Sequence, residues 1–341
     1  MNKFTKFLLA SFIISIIAIL FILIITVDAT TFQHLLYVQP QYLILAIAVH
    51  IFSYFIWGLR TKFMCSALNY DISSLKATEI ITSGAFAATF TPSSAGGEPV
   101  RIHLLNKHNI PLGKSTAIVL AERLLDAFFI VLTLPFALYI FGDLLSSSGM
   151  NAFLIYPILF SIFIIMILIY ALWRPDHTRN VVHFIANKIG KTIGKTADKM
   201  TGILSKIDSE LDNFHNSISL FLTDGKIGLI YGICFTIFYW LVQFSILPLI
   251  LLGLNLNPSV IAAYSAQILI TLISIAAITP GSSGIVELGA TPIFALFVPS
   301  PMLGLVVIAW RSITYYLNIV IGGFVSIKIL KDMDIINRIL D

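Results

Sequence analysis

Charged residues are scarce in this chain. Asp, Glu, Lys and Arg make up 11% of its 341 residues, against 58% that are hydrophobic. A soluble domain carries about 25% charged residues, so a water-coated globule is excluded. Cysteine is scarcer still: Cys65 and Cys234 stand alone in separate apolar segments. There is no CxxC pair and no His/Cys spacing suited to a metal, so neither a disulfide framework nor a metal site is implied. Each thiol is expected to pack as a small apolar group. A Walker loop and a dinucleotide fingerprint are also lacking, and no G-x-S-x-G surrounds the serine pairs at 93–94 and 282–283. No catalytic residue, no cofactor and no nucleic-acid partner is therefore expected.

Apolar length is what the chain has in abundance. The blocks 7–27, 42–58, 118–140, 152–173, 227–252, 260–278 and 302–329 each approach or exceed the ~20 residues that cross a bilayer. The fold class is thus all-α: a polytopic membrane helix bundle forming a single membrane domain over 1–341. Block 7–27 follows Lys3 and Lys6, as a signal peptide would. It is longer than a signal's apolar core and ends in a poor cleavage site, so it reads as a span.

Lysine and arginine are absent from the connections 28–39, 141–151, 254–259 and 298–301. They collect at the N-terminus, in 60–114 (Arg60, Lys62, Lys76, Lys107, Lys114), in 174–226 and in the tail. By the positive-inside rule these four regions, and both termini, face the cytoplasm of a cell membrane. The apolar stretch from Ala77 to Leu105 then starts and ends on one side, as a re-entrant hairpin. The stretch 260–297 becomes a second hairpin entering from the opposite face, beside six full spans.

Each hairpin carries a helix-breaking run: Thr91-Pro-Ser-Ser-Ala-Gly-Gly-Glu-Pro99 in the first and Thr279-Pro-Gly-Ser-Ser-Gly-Ile-Val-Glu287 in the second. A shift of 188 residues lays Thr91 on Thr279, Ser94 on Ser282, Gly96 on Gly284 and Arg123 on Arg311. The coincidence predicts an internal repeat, with cores at 77–140 and 260–329. Opposed entry makes the repeat inverted, the plan of transporters whose broken helices meet near the bilayer midplane. The plainer reading is a pair of turns that merely pack. Serines in such runs can cap the second half-helix, glycines let a ligand approach the backbone, and a half-helix N-terminus suits an anion. Backbone this irregular is tolerated only inside protein or beside a wet cavity.

Intramembrane charge is costly, about 2.5–3.5 kcal/mol per ionised group on insertion scales, and therefore faces the bundle interior. Glu98, Arg101, Glu287 and Arg311 flank the breaks, while Glu122, Arg123 and Asp126 share a span. Arg123, three residues from Asp126, can pair with it. Glu122 and Asp126 read equally as a structural ion cluster or as site groups; Glu98 and Glu287 could carry protons if the process is ion-coupled. The candidate head-group site comprises Thr91, Ser93, Ser94, Gly96, Gly97, Glu98, Arg101, Glu122, Arg123, Asp126, Thr279, Ser282, Ser283, Gly284, Glu287 and Arg311. His50 reads as a packed, hydrogen-bonded histidine. The 174–225 segment carries apolar residues three, four or seven apart, from Val182 to Phe221. It reads as an amphipathic connector under the bundle or, alternatively, as a partner-binding helix.

FTPSSAGGEPVR (90–101), ERLLD (122–126) and TPGSSGIVELG (279–289) resemble motifs of flippase-like membrane proteins related to the N-terminal membrane region of lysylphosphatidylglycerol synthase. The resemblance covers essentially the whole chain. It implies a flippase-like role; together with the buried charges, which turn Arg123 and Arg311 toward an anion, the leading expectation is a translocator for an anionic phospholipid or phosphate-linked glycolipid. Only a dozen residues follow Ile329, so the synthase's soluble catalytic domain is not expected, nor its reaction. An ion-coupled carrier of a small anion is the alternative within transport. A non-transporting lipid-binding partner of a membrane glycosyltransferase or synthase is the alternative outside it. Lipid identity, direction, energy source and oligomeric state stay open at this level.

Overall fold

The computed structural model describes residues 3–91, 96–145, 225–257, 259–277 and 279–340, with scattered residues between 166 and 223. Most of the expected span at 152–173, most of the connector 174–225, and Ser93 and Ser94 lie outside the described residues. The described chain is helical. Its elements are α1 (Lys3–Thr26), α2 (Ala29–Leu35), α3 (Pro40–Ala67), α4 (Ser74–Ala88), α5 (Gly97–Lys107) and α6 (Leu112–Leu145). They continue with α7 (Lys226–Phe244), α8 (Ile246–Gly253), α9 (Val260–Ala276), α10 (Ile285–Phe294) and α11 (Ser300–Arg311). A π-helical turn (Ser312–Tyr316) then leads into α12 (Leu317–Leu340).

Four helical stretches are long and apolar enough to cross a membrane: Pro40–Ala67, Leu112–Gly142, Lys226–Gly253 and Ser300–Ile329. Their outward residues include Ile44, Leu132, Tyr139, Ile227 and Phe324, each more than half exposed. A water-soluble protein does not display so continuous an apolar coat. The protein is a multi-pass membrane helix bundle.

The two breaker runs do break helices. α4 (15 residues) and α5 (11 residues) are about 22 and 16 Å long at 1.5 Å per residue, and neither crosses ~30 Å of hydrocarbon alone. The pair folds back on itself: a Cβ on Gly84 would lie 2.5 Å from Arg101 Cγ, and one on Gly97 would lie 2.9 Å from the Gly84 carbonyl oxygen. Only glycine at both positions lets α4 and α5 approach this closely. α9 and α10 fold back likewise, with Ser274 of α9 held by Ser282 across the second break.

The elements recur at the offset read from the motifs. Shifted by 188, α3 falls on 228–255 where α7–α8 occupies 226–253, and α4 falls on 262–276 where α9 occupies 260–276. α5 falls on 285–295 against α10 at 285–294, and α6 begins at 300, as α11 does. Packing is reciprocal too: α6 lies on α9, and α12 lies on α4. Each half has its own apolar core. Met64, Ile80, Leu105 and Ile118 belong to the first; Ile250, Ala266, Phe294 and Val306 belong to the second. Polar groups gather between them.

Candidate functional site

The first cluster forms where α3, α5, α6 and α7 meet. Arg60 of α3 is fully buried and grips Asp126 of α6 with two bonds, at 2.7 and 3.1 Å, while donating to Thr236 Oγ1 of α7 at 2.9 Å. Asp126 also accepts from Trp240 Nε1 at 3.0 Å. Glu122, one turn earlier and fully buried, accepts from Arg101, from Thr61 Oγ1 at 2.7 Å and from Trp57 Nε1 at 3.2 Å. Trp57 is the hub. The guanidinium carbons of Arg101, Arg60 and Arg123 lie 5.0, 5.5 and 5.6 Å from its ring centroid, within cation–π range.

The second cluster surrounds the break before α10. Glu287 accepts from Arg311 Nε at 2.8 Å, from the Gly284 N–H at 2.7 Å and from Ser15 Oγ of α1. The contact with Gly284 caps α10, so the acid, rather than Ser282 or Ser283, satisfies the helix start. Ser282 instead donates to the Ser274 carbonyl, and Ser283 donates to Tyr315. The π-helical turn widens the helix just after Arg311, and Arg311 lies over the Tyr315 ring, 4.2 Å from its centroid.

The two breaks touch. The Gly281 N–H donates to the Thr91 carbonyl at 3.2 Å, and Tyr315 OH donates to the Thr89 carbonyl at 3.2 Å. Gly281 has φ of +59°, and a Cβ there would sit 2.3 Å from the Thr89 oxygen. Thr91 Oγ1 reaches across its own break to accept from the Gly96 N–H at 2.9 Å.

Around this junction lies a cavity of about 270 Å³, lined by groups from both halves, including Arg101, Arg123, Asp126 and Arg311. A second space of about 480 Å³ shares Arg123, Asp126, Trp240 and Arg311 with it and extends past Glu98, Ile130 and Ile270 to Ile275. Ile275, which lines this second space, is 60% exposed, so the space borders an accessible apolar side chain. The arginines present unused donors: Arg101 Nε and Nη1 and Arg311 Nη2 are buried without a partner. An ordinary protein interior leaves few such groups unpaired. Among the described residues no three His, Cys, Asp or Glu side chains converge to hold a metal ion.

A family model described as lysylphosphatidylglycerol synthase TM region matches residues 8–322. The chain belongs to that family. It is similar to a UPF0104 membrane protein of Archaeoglobus fulgidus, 32% identical over 87% of this chain and 89% of the relative. It is also similar to a UPF0104 membrane protein of Methanocaldococcus jannaschii, 28% identical over 97% of both chains. No solved structure matches it.

In this family member, the expected site residues fall into three groups. Arg101, Arg123, Asp126, Arg311 and Glu98 line the shared cavity. Glu122 and Glu287 stand behind the arginines, fully buried, and hold their heads from the protein side. Thr91, Gly96, Gly97, Thr279, Ser282, Ser283 and Gly284 shape the breaks; Thr279 Oγ1 is buried without a partner. Two expectations are corrected. Arg123 pairs with Glu98 at 2.5 Å instead of with Asp126, because Arg60 occupies Asp126. Arg60 does not belong with the cytoplasmic charges, being 0% exposed inside α3. His50 is packed and bonded as expected, at 2.6 Å to Asn318. Sequence reasoning missed Arg60, Trp57, Tyr239, Trp240, Gln243 and Asn318, which complete the cavity and its support. The one available signal was Arg60 just past an apolar block, with apolar residues resuming at Phe63 and Met64.

Proposed function

We propose that this protein translocates an anionic phospholipid or phosphate-linked glycolipid between leaflets. The observation carrying this reading is the convergence of Arg101, Arg123 and Arg311 on one membrane-embedded cavity, with guanidinium N–H groups that the protein leaves unpaired. Phosphate oxygens are the natural acceptors for such forks. The acidic partners Glu122 and Glu287 hold Arg101 and Arg311 in place, while Arg123 pairs with Glu98, itself part of the cavity lining. The exposed, apolar Ile275 bordering the larger space favours a lipid over a small soluble anion, since acyl chains can stay outside while the head group enters. The recurrence of four elements at one offset, with reciprocal packing of α6 on α9 and α12 on α4, supports an inverted repeat and alternating access by rocking one half on the other. The touching breaks would then be the place where the halves part.

Native mass spectrometry of the protein extracted in mild detergent tests the ligand class. A phosphate-bearing lipid should ride with the wild type and be lost from the Arg123→Gln, Arg311→Gln double variant. Retention of the same lipid by the double variant would refute the arginines' role.

A further inference from the structure

The protein's own charges at the junction cancel. Arg60, Arg101, Arg123 and Arg311 meet Asp126, Glu122, Glu98 and Glu287 in ion pairs, four cations against four anions. His50, which lines the smaller space, contacts the neutral Tyr54 ring and the Asn318 amide. Among the described residues no carboxylate pairs with it, and it counts as uncharged. An anion entering the junction therefore brings a charge with no counterpart, where unpaired charge is costly.

The four acids differ in what holds them. Asp126 accepts two bonds from Arg60 and one from Trp240. Glu122 accepts from Arg101, Thr61 and Trp57, and Glu287 from Arg311, the Gly284 N–H and Ser15. Protonating any of these would set an O–H against donors already aimed at it. Glu98 is the exception: its side chain is 23% accessible, it borders the larger space, and its partner Arg123 lies in the same wall. A phosphate reaching Arg123 competes with Glu98 for one guanidinium. Around that space Glu98 shares the lining with Arg123 and Asp126 of α6, Tyr239 of α7 and Arg311 of α11; Arg101 follows on its own helix. The other helix packed on α5 is α4, whose Lys76 and Glu79 lie in its first two turns, Glu79 bonded to Lys76 and Lys328.

We infer that phosphate replaces Glu98 on Arg123 and that Glu98 takes up one proton as it lets go, so that the lipid anion crosses with a proton and no net charge. The inference rests on the phosphate reading above. The Arg123–Glu98 ion pair gives way to an Arg123–phosphate pair, the carboxylate becomes a carboxylic acid with a proton from water, and release of the lipid returns both. The charges at the junction still cancel in the loaded state.

Dihexanoyl phosphatidylglycerol titrated calorimetrically into the protein in phosphatidylcholine nanodiscs counts the protons, from the heats in two buffers of unlike ionisation enthalpy. Its phosphodiester lacks the second ionisation, at about pH 6, of a phosphate monoester, so the lipid itself adds no proton. The wild type should take up about one proton per lipid. Because the complex holds that proton and the free protein does not, affinity should fall about tenfold for each unit of rising pH around neutrality. Glu98→Gln, a neutral stand-in for the protonated acid, should bind without proton uptake and with constant affinity over the same range. Binding by the wild type without proton uptake overturns the exchange and leaves the phosphate reading standing, whether or not the variant folds. Uptake that persists in Glu98→Gln puts the proton on another group and overturns the role of Glu98. No binding by the wild type at any of these pH values overturns both readings. Dimethyl phosphate competing as strongly as the lipid would keep the proton exchange but overturn the lipid as the source of the anion.

Discussion

A lone arginine inside a membrane span is expensive, and this protein buries several with their partners already in place. Arg60 and Asp126 show the cost structure most simply. Their bidentate contact, with Thr236 accepting from Arg60 and Trp240 donating to Asp126, replaces most of the hydration both ions lost; Arg60 Nε has only the Glu122 carboxylate, 3.6 Å away. Removing one partner strands the other. Asp126→Ala should therefore lower stability by about 3–5 kcal/mol, read as thermal unfolding in detergent, whereas Arg60→Met with Asp126→Leu should cost far less. If the single and double variants unfold alike, the pair is not what desolvation makes it. Part of this was legible beforehand and part was not. Arg123 and Arg311 announced themselves by lying 188 residues apart in apolar blocks. Arg60 did not, because basic residues near the end of an apolar block ordinarily snorkel to the surface. The pairing of Arg123 with Asp126 followed a local helix rule that tertiary packing overrode, Arg60 having the better geometry.

At the scale of elements, the protein depends on two helices that stop early. Glycines permit it: Gly84 and Gly97 let α4 and α5 close upon each other, and Gly281 carries the second break against the first. A side chain at Gly281 meets both a positive φ and the Thr89 carbonyl oxygen. Gly281→Ala should destabilise the protein by more than about 1–3 kcal/mol, the usual cost of one strained backbone position. It should also raise amide exchange at 88–91 and 279–284. Gly113→Ala, where a Cβ meets nothing within 4 Å, is the matched control and should leave both readings unchanged. A Gly281→Ala protein as stable as that control would mean the two breaks do not press together. The breaks themselves were readable from Pro, Gly and Ser placed in apolar surroundings. Their mutual contact was not, since no local pattern records which loop meets which across 188 residues.

For the whole molecule, apolar clusters in both halves surround a polar junction whose larger space borders the exposed Ile275. The fold class and family followed from composition and motifs. The cavity's neutral lining, His50, Gln243, Asn318 and the aromatic residues around Trp57, left no such trace, because uncharged polar and aromatic residues in spans look like packing until the helices are assembled. The central claim is that the arginine-lined junction moves phosphate-bearing lipid across the bilayer. Its most direct test is the movement of fluorescent phosphatidylglycerol between leaflets of vesicles containing the purified protein, followed by dithionite quenching. Vesicles with the wild type should expose the inner-leaflet probe, and those with the folded Arg123→Gln, Arg311→Gln variant should behave like protein-free vesicles. Equal rates for the wild type and the variant would contradict the account.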